Sequence, residues 1–283
     1  MHSSPEQKIP SDLWDAVFIA GGLLLVSLTF KTYRYFDLTS PADLHNHLTA
    51  SEADHSVADA KARISSRPDD YNAWADLAIA YYQKGPDSYV DGLNALDKAR
   101  EMGATQESLF YYAGIMDQTL GLPDYAINEL SKYLRHHPDD YETLVRLGNL
   151  YFSEKKFDEA RVIYKAALAQ WPKDPTAWFN YAVVSKEQGQ LDEALDSLER
   201  VRKLAGHLPE GGYYQQGEIL RLKGSQEAAM QSYQQELAAN PNSIPTLEAL
   251  ELAARSQGDL KLAKAFHKRI FDLKHATPTA AVK

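Results

Sequence analysis

The chain divides into two regions by hydrophobic pattern. From Leu13 to Phe30 the stretch LWDAVFIAGGLLLVSLTF carries one charge, Asp15, and is apolar on every helical face from Val17 onward. A helix of that length rises about 27 Å, close to the thickness of a bilayer's hydrocarbon core. Trp14 stands at one end and Tyr33 and Tyr35 at the other, where aromatic rings favour the headgroup region, and Lys31 and Arg34 stop the run. Residues 13–36 are therefore expected to form a transmembrane anchor helix behind an N-terminal tail, residues 1–12. Glu6, Asp12 and Asp15 ahead of the run, and FKTYRYF after it, do not fit a cleavable signal peptide. Beyond Val57 apolar residues recur at spacings of three and four in short stretches broken by Gly, Pro, Asp and Asn, which predicts a succession of short amphipathic helices. Residues 37–56, with Ser40-Pro41, read as a linker, and residues 276–283 as a flexible tail.

Aligned on its prolines, the second region repeats with a period of about 34 residues. Its clearest copy, Leu144 to Pro172, places Leu144, Leu147, Gly148 and Tyr151 on a first helix and Ala160, Tyr164 and Ala167 on a second, closing at Pro172. A large first-helix anchor recurs as Trp74, Phe110, Leu144, Trp178, Tyr213 and Leu247. A small residue where two helices cross recurs as Gly92, Ala126, Ala160, Ala194, Ala229 and Ala263, and terminating prolines as Pro68, Pro138, Pro172, Pro209 and Pro241. These positions resemble the tetratricopeptide-repeat pattern W-x2-L-G-x2-Y…A-x3-F…P. The resemblance implies an all-α fold: an α-solenoid over residues 57–275, a right-handed superhelix of antiparallel helix pairs, with about six hairpins and a preceding helix within Val57–Pro68. Asp69-Asp70 and Asp139-Asp140 suit helix N-termini. The first copy carries extra residues in YYQKGPDSYVDG and should bulge there. Gln216 and Glu251 replace a usual Leu and Gly, which marks the last two hairpins as atypical.

In this family the first helix of each hairpin lines the inside of the superhelix. The resemblance therefore implies a partner-binding groove of Ile79, Tyr82, Tyr111, Ile115, Val145, Asn149, Phe152, Phe179, Asn180, Val183, Tyr214 and Arg221, flanked by Gln118, Lys186, Gln215 and Glu218. Exposed aromatic rings there would dock a peptide or helix of a protein partner, whereas rings packed on the adjacent hairpin would serve the fold alone. The family's carboxylate clamp pairs two Asn with basic residues. Asn149 and Asn180 match the amides, but Val145, Gly211 and Gln215 occupy the basic positions, so a chaperone-tail clamp is not expected.

A net charge of -9 with no Lys/Arg cluster argues against electrostatic attraction to nucleic acid or to anionic lipid, and the absence of cysteine excludes disulfides and thiolate chemistry. DLHNHL holds His45 and His47 in the spacing of a metal-binding HxH, but no strand series supplies further ligands, and His136-His137 lie at a hairpin end. No phosphate loop, GxSxG or HExxH is present. The expectation is a membrane-tethered, non-catalytic scaffold or assembly factor without cofactors, binding a protein partner in the groove. A self-assembling homo-oligomer is the alternative and a metal-dependent enzyme using the linker histidines a third reading. By a margin of about one charge the positive-inside bias puts the soluble part in the cytoplasm; a periplasmic or other extracytoplasmic placement is the alternative.

Overall fold

The computed structural model describes residues 49–275. The tail expected at 1–12, the anchor expected at 13–36, His45 and His47, and the tail expected at 276–283 lie outside the described residues. Within them all regular structure is helical, thirteen α-helices and one 3-10 turn with no strand. After α1 (Ala50–Ser66) come six pairs: α2 (Tyr71–Lys84) with α3 (Tyr89–Glu101), α4 (Ser108–Thr119) with α5 (Pro123–His136), and α6 (Tyr141–Ser153) with α7 (Phe157–Gln170). The series continues with α8 (Pro175–Glu187) and α9 (Leu191–Ala205), α10 (Gly212–Leu222) and α11 (Gln226–Ala239), and α12 (Ile244–Ser256) and α13 (Leu260–His275). Each pair packs tightly within itself, and each second helix packs on the first helix of the next pair. A lone pair would leave apolar surface wet, so stacking is what buries the core.

Short polar signals set the helix ends. Asp70, Asp140 and Asp174 accept N–H bonds at the starts of α2, α6 and α8. The second helices α5, α7 and α11 stop two residues before Pro138, Pro172 and Pro241, because the residue preceding a proline is pushed out of the helical region. The expected bulge is present: Gly85, at φ 110°, opens a 3-10 turn over Pro86–Ser88. The start of α1 requires a correction. The stretch expected as linker to residue 56 already belongs to the helix from Ala50, because the Thr49 hydroxyl accepts from the Glu52 N–H while the Glu52 carboxylate accepts from the Thr49 N–H.

The three repeated series have visible causes. Ala126, Ala160 and Ala194 are wholly buried at their crossings, and Ala229 and Ala263 nearly so. The anchors Trp74 and Trp178 donate their indole N–H to the Pro68 and Pro172 carbonyls, tying each anchor to the proline turn before it. A Cβ on Gly148 would stand 2.6 Å from the Tyr164 ring and one on Gly217 2.4 Å from Tyr233, so glycine is what admits a tyrosine from the second helix. The departure at Glu251 follows the same geometry. Its carboxylate meets His267 at 3.3 Å, and a polar pair replaces the glycine–ring contact.

The fifth hairpin has no side-chain cap on its first helix, since Glu210 accepts from Asn240 instead. Gly211 stands at the N-cap of α10 with no side chain to offer. The carboxylate of Glu236, on α11 and 1% exposed, takes that place by accepting the N–H groups of Gly211 (2.9 Å) and Tyr214 (3.3 Å). A carboxylate there meets both unpaired donors and the positive end of the helix. Its burial raises its pKa, and the backbone donors oppose that shift. Among the described residues no helix is long and apolar enough to cross a membrane.

Candidate functional site

The first helices α2, α4, α6, α8 and α10 carry the residues expected to form the groove. Polar rungs join neighbours along this face. Tyr111 donates to Glu142 (3.3 Å), Arg146 bridges Glu142 (3.0 Å) and Gln118 (3.2 Å), and Lys186 donates to Gln215 (2.8 Å). Lower down, an aromatic series runs from Tyr89 through Tyr82, Tyr112, Tyr111 and Tyr133 to His137, with ring centroids 4.5–5.8 Å apart. Burial raises the hydroxyl pKa of Tyr82 and Tyr111, and with the Asp140 carboxylate beside it takes that of Tyr133 to about 12, so all three remain donors at neutral pH.

Exposure divides the expected groove residues. Tyr82, Tyr111, Ile115, Phe152, Phe179, Asn180 and Val183 are buried, while Ile79, Val145, Asn149, Tyr214 and Arg221 are half-buried. Of the two alternatives, most of these rings take the packed one. Rings from successive hairpins interlock, as Tyr82 with Tyr112, and within one hairpin Phe152 meets Phe157 at 5.4 Å. Asn149 accepts the Tyr164 hydroxyl, and Arg221 is held by Glu218 at 2.8 Å. Burial would raise the Glu218 pKa, but hydrogen bonds from Arg221 and Tyr233 outweigh it and hold the carboxylate below its usual range.

Single polar atoms of Thr143, Arg146 and Ser185 on the first helices are buried without a partner, and Asn180 leaves two so. Its side chain is 1% exposed, and neither the amide nitrogen nor the amide oxygen has a hydrogen-bond partner. A buried amide left so costs about 1–3 kcal/mol. It retains a donor and an acceptor that the fold does not use.

Asp117, on α4, carried no signal in the sequence pattern, yet it is buried. Burial and then the nearby Glu129 carboxylate, itself bound by Arg100 and Lys132, raise its pKa to about 6. A carboxyl that holds its proton more tightly when folded than when unfolded favours the fold at low pH. Stability from this group should therefore rise as pH falls from 7 through 6 and level off near about 4, the unfolded value. Asp117→Asn should abolish that slope in urea titrations across pH and add about 2 kcal/mol at pH 7.

Among the described residues no group of three His, Asp or Glu could hold a metal. His136 and His137 both reach one carboxylate, Glu107, at 3.0 and 3.2 Å.

Comparison with known proteins agrees with this architecture. Models of the tetratricopeptide repeat match residues 151–210 in one form and 118–175 and 186–244 in another. The chain is 25% identical over 221 residues to the cellulose synthase operon protein C of Pseudomonas fluorescens (strain SBW25), covering 72% of this chain and 17% of that protein. It is 27% identical over 140 residues to Hsp70-Hsp90 organizing protein 2 of Arabidopsis thaliana, covering 48% of this chain and 24% of the relative. The chain thus spans less than a quarter of either relative's length. Among solved structures, YrrB, titled a TPR protein with an unusual peptide-binding site, aligns over 67% of this chain and 96% of its own with a TM-score of 0.57 at 20% identity. Residues 118–244 therefore carry tetratricopeptide repeats, and the described residues share the all-helical solenoid fold of such repeats.

Proposed function

We propose that this chain is a membrane-tethered, non-catalytic scaffold that holds an extended segment of a protein partner along its first-helix face, with the Asn180 side chain, 1% exposed in the packed face, turning outward to grip the partner's main chain. The observation that carries the reading is the unpaired, buried amide of Asn180. Every residue of an extended segment brings one C=O and one N–H, the two groups that amide lacks. Half-buried Val145 and Tyr214 supply apolar contact on the first helices either side of Asn180, and Ile79 further along, where a partner's side chains would add burial. The buried aromatic residues, in this reading, stiffen the face and do not contact the partner directly. Tetratricopeptide proteins are generally scaffolds, and the peptide-binding site named for YrrB belongs to the same class of activity.

The tether in this reading is the apolar stretch within residues 13–36, which would raise the local concentration of a partner near the bilayer. The positive-inside bias favours the repeats on the cytoplasmic side. Carboxy-terminal reporter fusions, one active only inside and one only outside, test that placement.

Asn180→Leu tests the grip. It keeps the number of side-chain heavy atoms and removes the unpaired polar ones, so the unfolding midpoint should rise by up to the equivalent of about 1–3 kcal/mol, less what the bulkier leucine branch costs in packing. Partners enriched by proximity labelling from the C-terminus should at the same time be lost. Unchanged labelling by the stabilised variant would remove Asn180 from the binding face and defeat the reading.

A further inference from the structure

Helix α13 is charged against the trend of its chain. In a protein of net charge -9 it holds four lysines and one arginine against a single aspartate, a net +4 over 16 residues. One side of it is committed to the fold, with Ala263 and Ile270 buried and Phe266 packed on the cluster around Tyr233 and Leu250. The opposite side carries Leu260, Lys264, Lys268, Phe271 and His275 at spacings of three and four, a single stripe down the helix. Leu260 is 61% and Phe271 55% exposed, which is unusual for side chains of that size on a terminal helix whose outer face should be polar. Lys268 pairs with Asp272, but Lys261 and Lys264 have no ion-pair partner among the described residues.

We propose that this outward stripe docks on an anionic bilayer surface. Unpaired lysines beside two exposed apolar side chains match the chemistry of a headgroup boundary. The apolar tips enter the acyl edge while the lysine stems reach back to lipid phosphates. The net charge of the whole chain opposes anionic lipid and nucleic acid alike, and α13 is the local exception; a nucleic acid would use its lysines but give Leu260 and Phe271 no acyl phase to enter. An acidic protein surface would call for the lysines and leave Leu260 and Phe271 without a role. Docking here is separate from the proposed tether, since it depends on lipid charge and the tether does not.

The chain contains no cysteine, so a single Ala265→Cys on the exposed side of α13 gives one label site for an environment-sensitive fluorophore. The labelled full chain is mixed with phosphatidylcholine vesicles and with vesicles that also contain phosphatidylglycerol. Flotation reports whether the chain is on the vesicle, and emission reports where α13 lies. A blue shift on the anionic vesicles alone, reversed by salt, is the expected result. Lys261→Gln with Lys264→Gln should weaken docking about 25-fold, roughly fivefold for each lysine lost near the surface. Equal emission on both vesicle types, or a double variant that behaves as the parent, would overturn the proposal, as would an equal response to an acidic polypeptide in place of vesicles. If the tether reading alone fails, flotation with phosphatidylcholine is lost while the anionic response remains.

Discussion

Replacing Glu236 by alanine should destabilise the solenoid by about 3 kcal/mol, the sum of a lost charged acceptor at a helix end and the donors it leaves buried. The carboxylate is 1% exposed and accepts the Gly211 and Tyr214 N–H groups, and Gly211 has no side chain to replace it. Glu236→Gln retains one acceptor oxygen and should fall between the two. Restoring the cap locally gives a second arm. Gly211→Asp supplies the residue type found before α2, α6 and α8, but Gly211 sits at φ 75°, a left-handed conformation that disfavours a side chain, so the rescue should be partial. Equilibrium urea unfolding followed by circular dichroism reads all three. A Glu236→Ala midpoint equal to wild type would mean that water replaces the carboxylate without loss.

Gly148→Ala should cost about 2 kcal/mol through overpacking, because the added Cβ would meet the wholly buried Tyr164 ring at 2.6 Å. The next hairpin shows how the contact can be rebuilt. At the equivalent positions it carries Ala182 and Leu198, both buried, so the larger first-helix residue goes with a smaller partner. The double variant Gly148→Ala with Tyr164→Leu should therefore recover part of the loss, and a double-mutant cycle should show coupling well outside additivity. Strict additivity would show that the glycine is not there to admit the ring.

The repeat was legible because each of its signals has a local cause. Proline ends a helix wherever it falls, aspartate caps one, and small residues at a fixed interval mark a crossing that only small residues allow. Helix α1 was misplaced at its start because its signal, Thr49 with Glu52, lies in a polar stretch where periodicity is silent. The binding face was less legible. Helical position distinguishes the face on which Tyr82, Tyr111 and Phe179 lie, but burial depends on whether rings from the next hairpin interlock with them, a contact made across some thirty residues of chain. The Glu236 cap and the buried Asp117 escaped for the same reason. Gly211 and Glu236 are linked by the return of α11 onto α10, and no pattern within either helix announces it. Asn180, by contrast, stood out in the sequence as an amide at a family position, and the structure adds that the fold leaves it unpaired.

The central claim is that a partner segment lies along the first-helix face, and site-specific photocrosslinking tests it most directly. A photoreactive residue at half-buried Val145 on α6 should capture a discrete protein partner, while the same residue at Val162, 65% exposed on the second helix α7, should not. Equal capture from both positions, or capture from Val162 alone, would contradict the account.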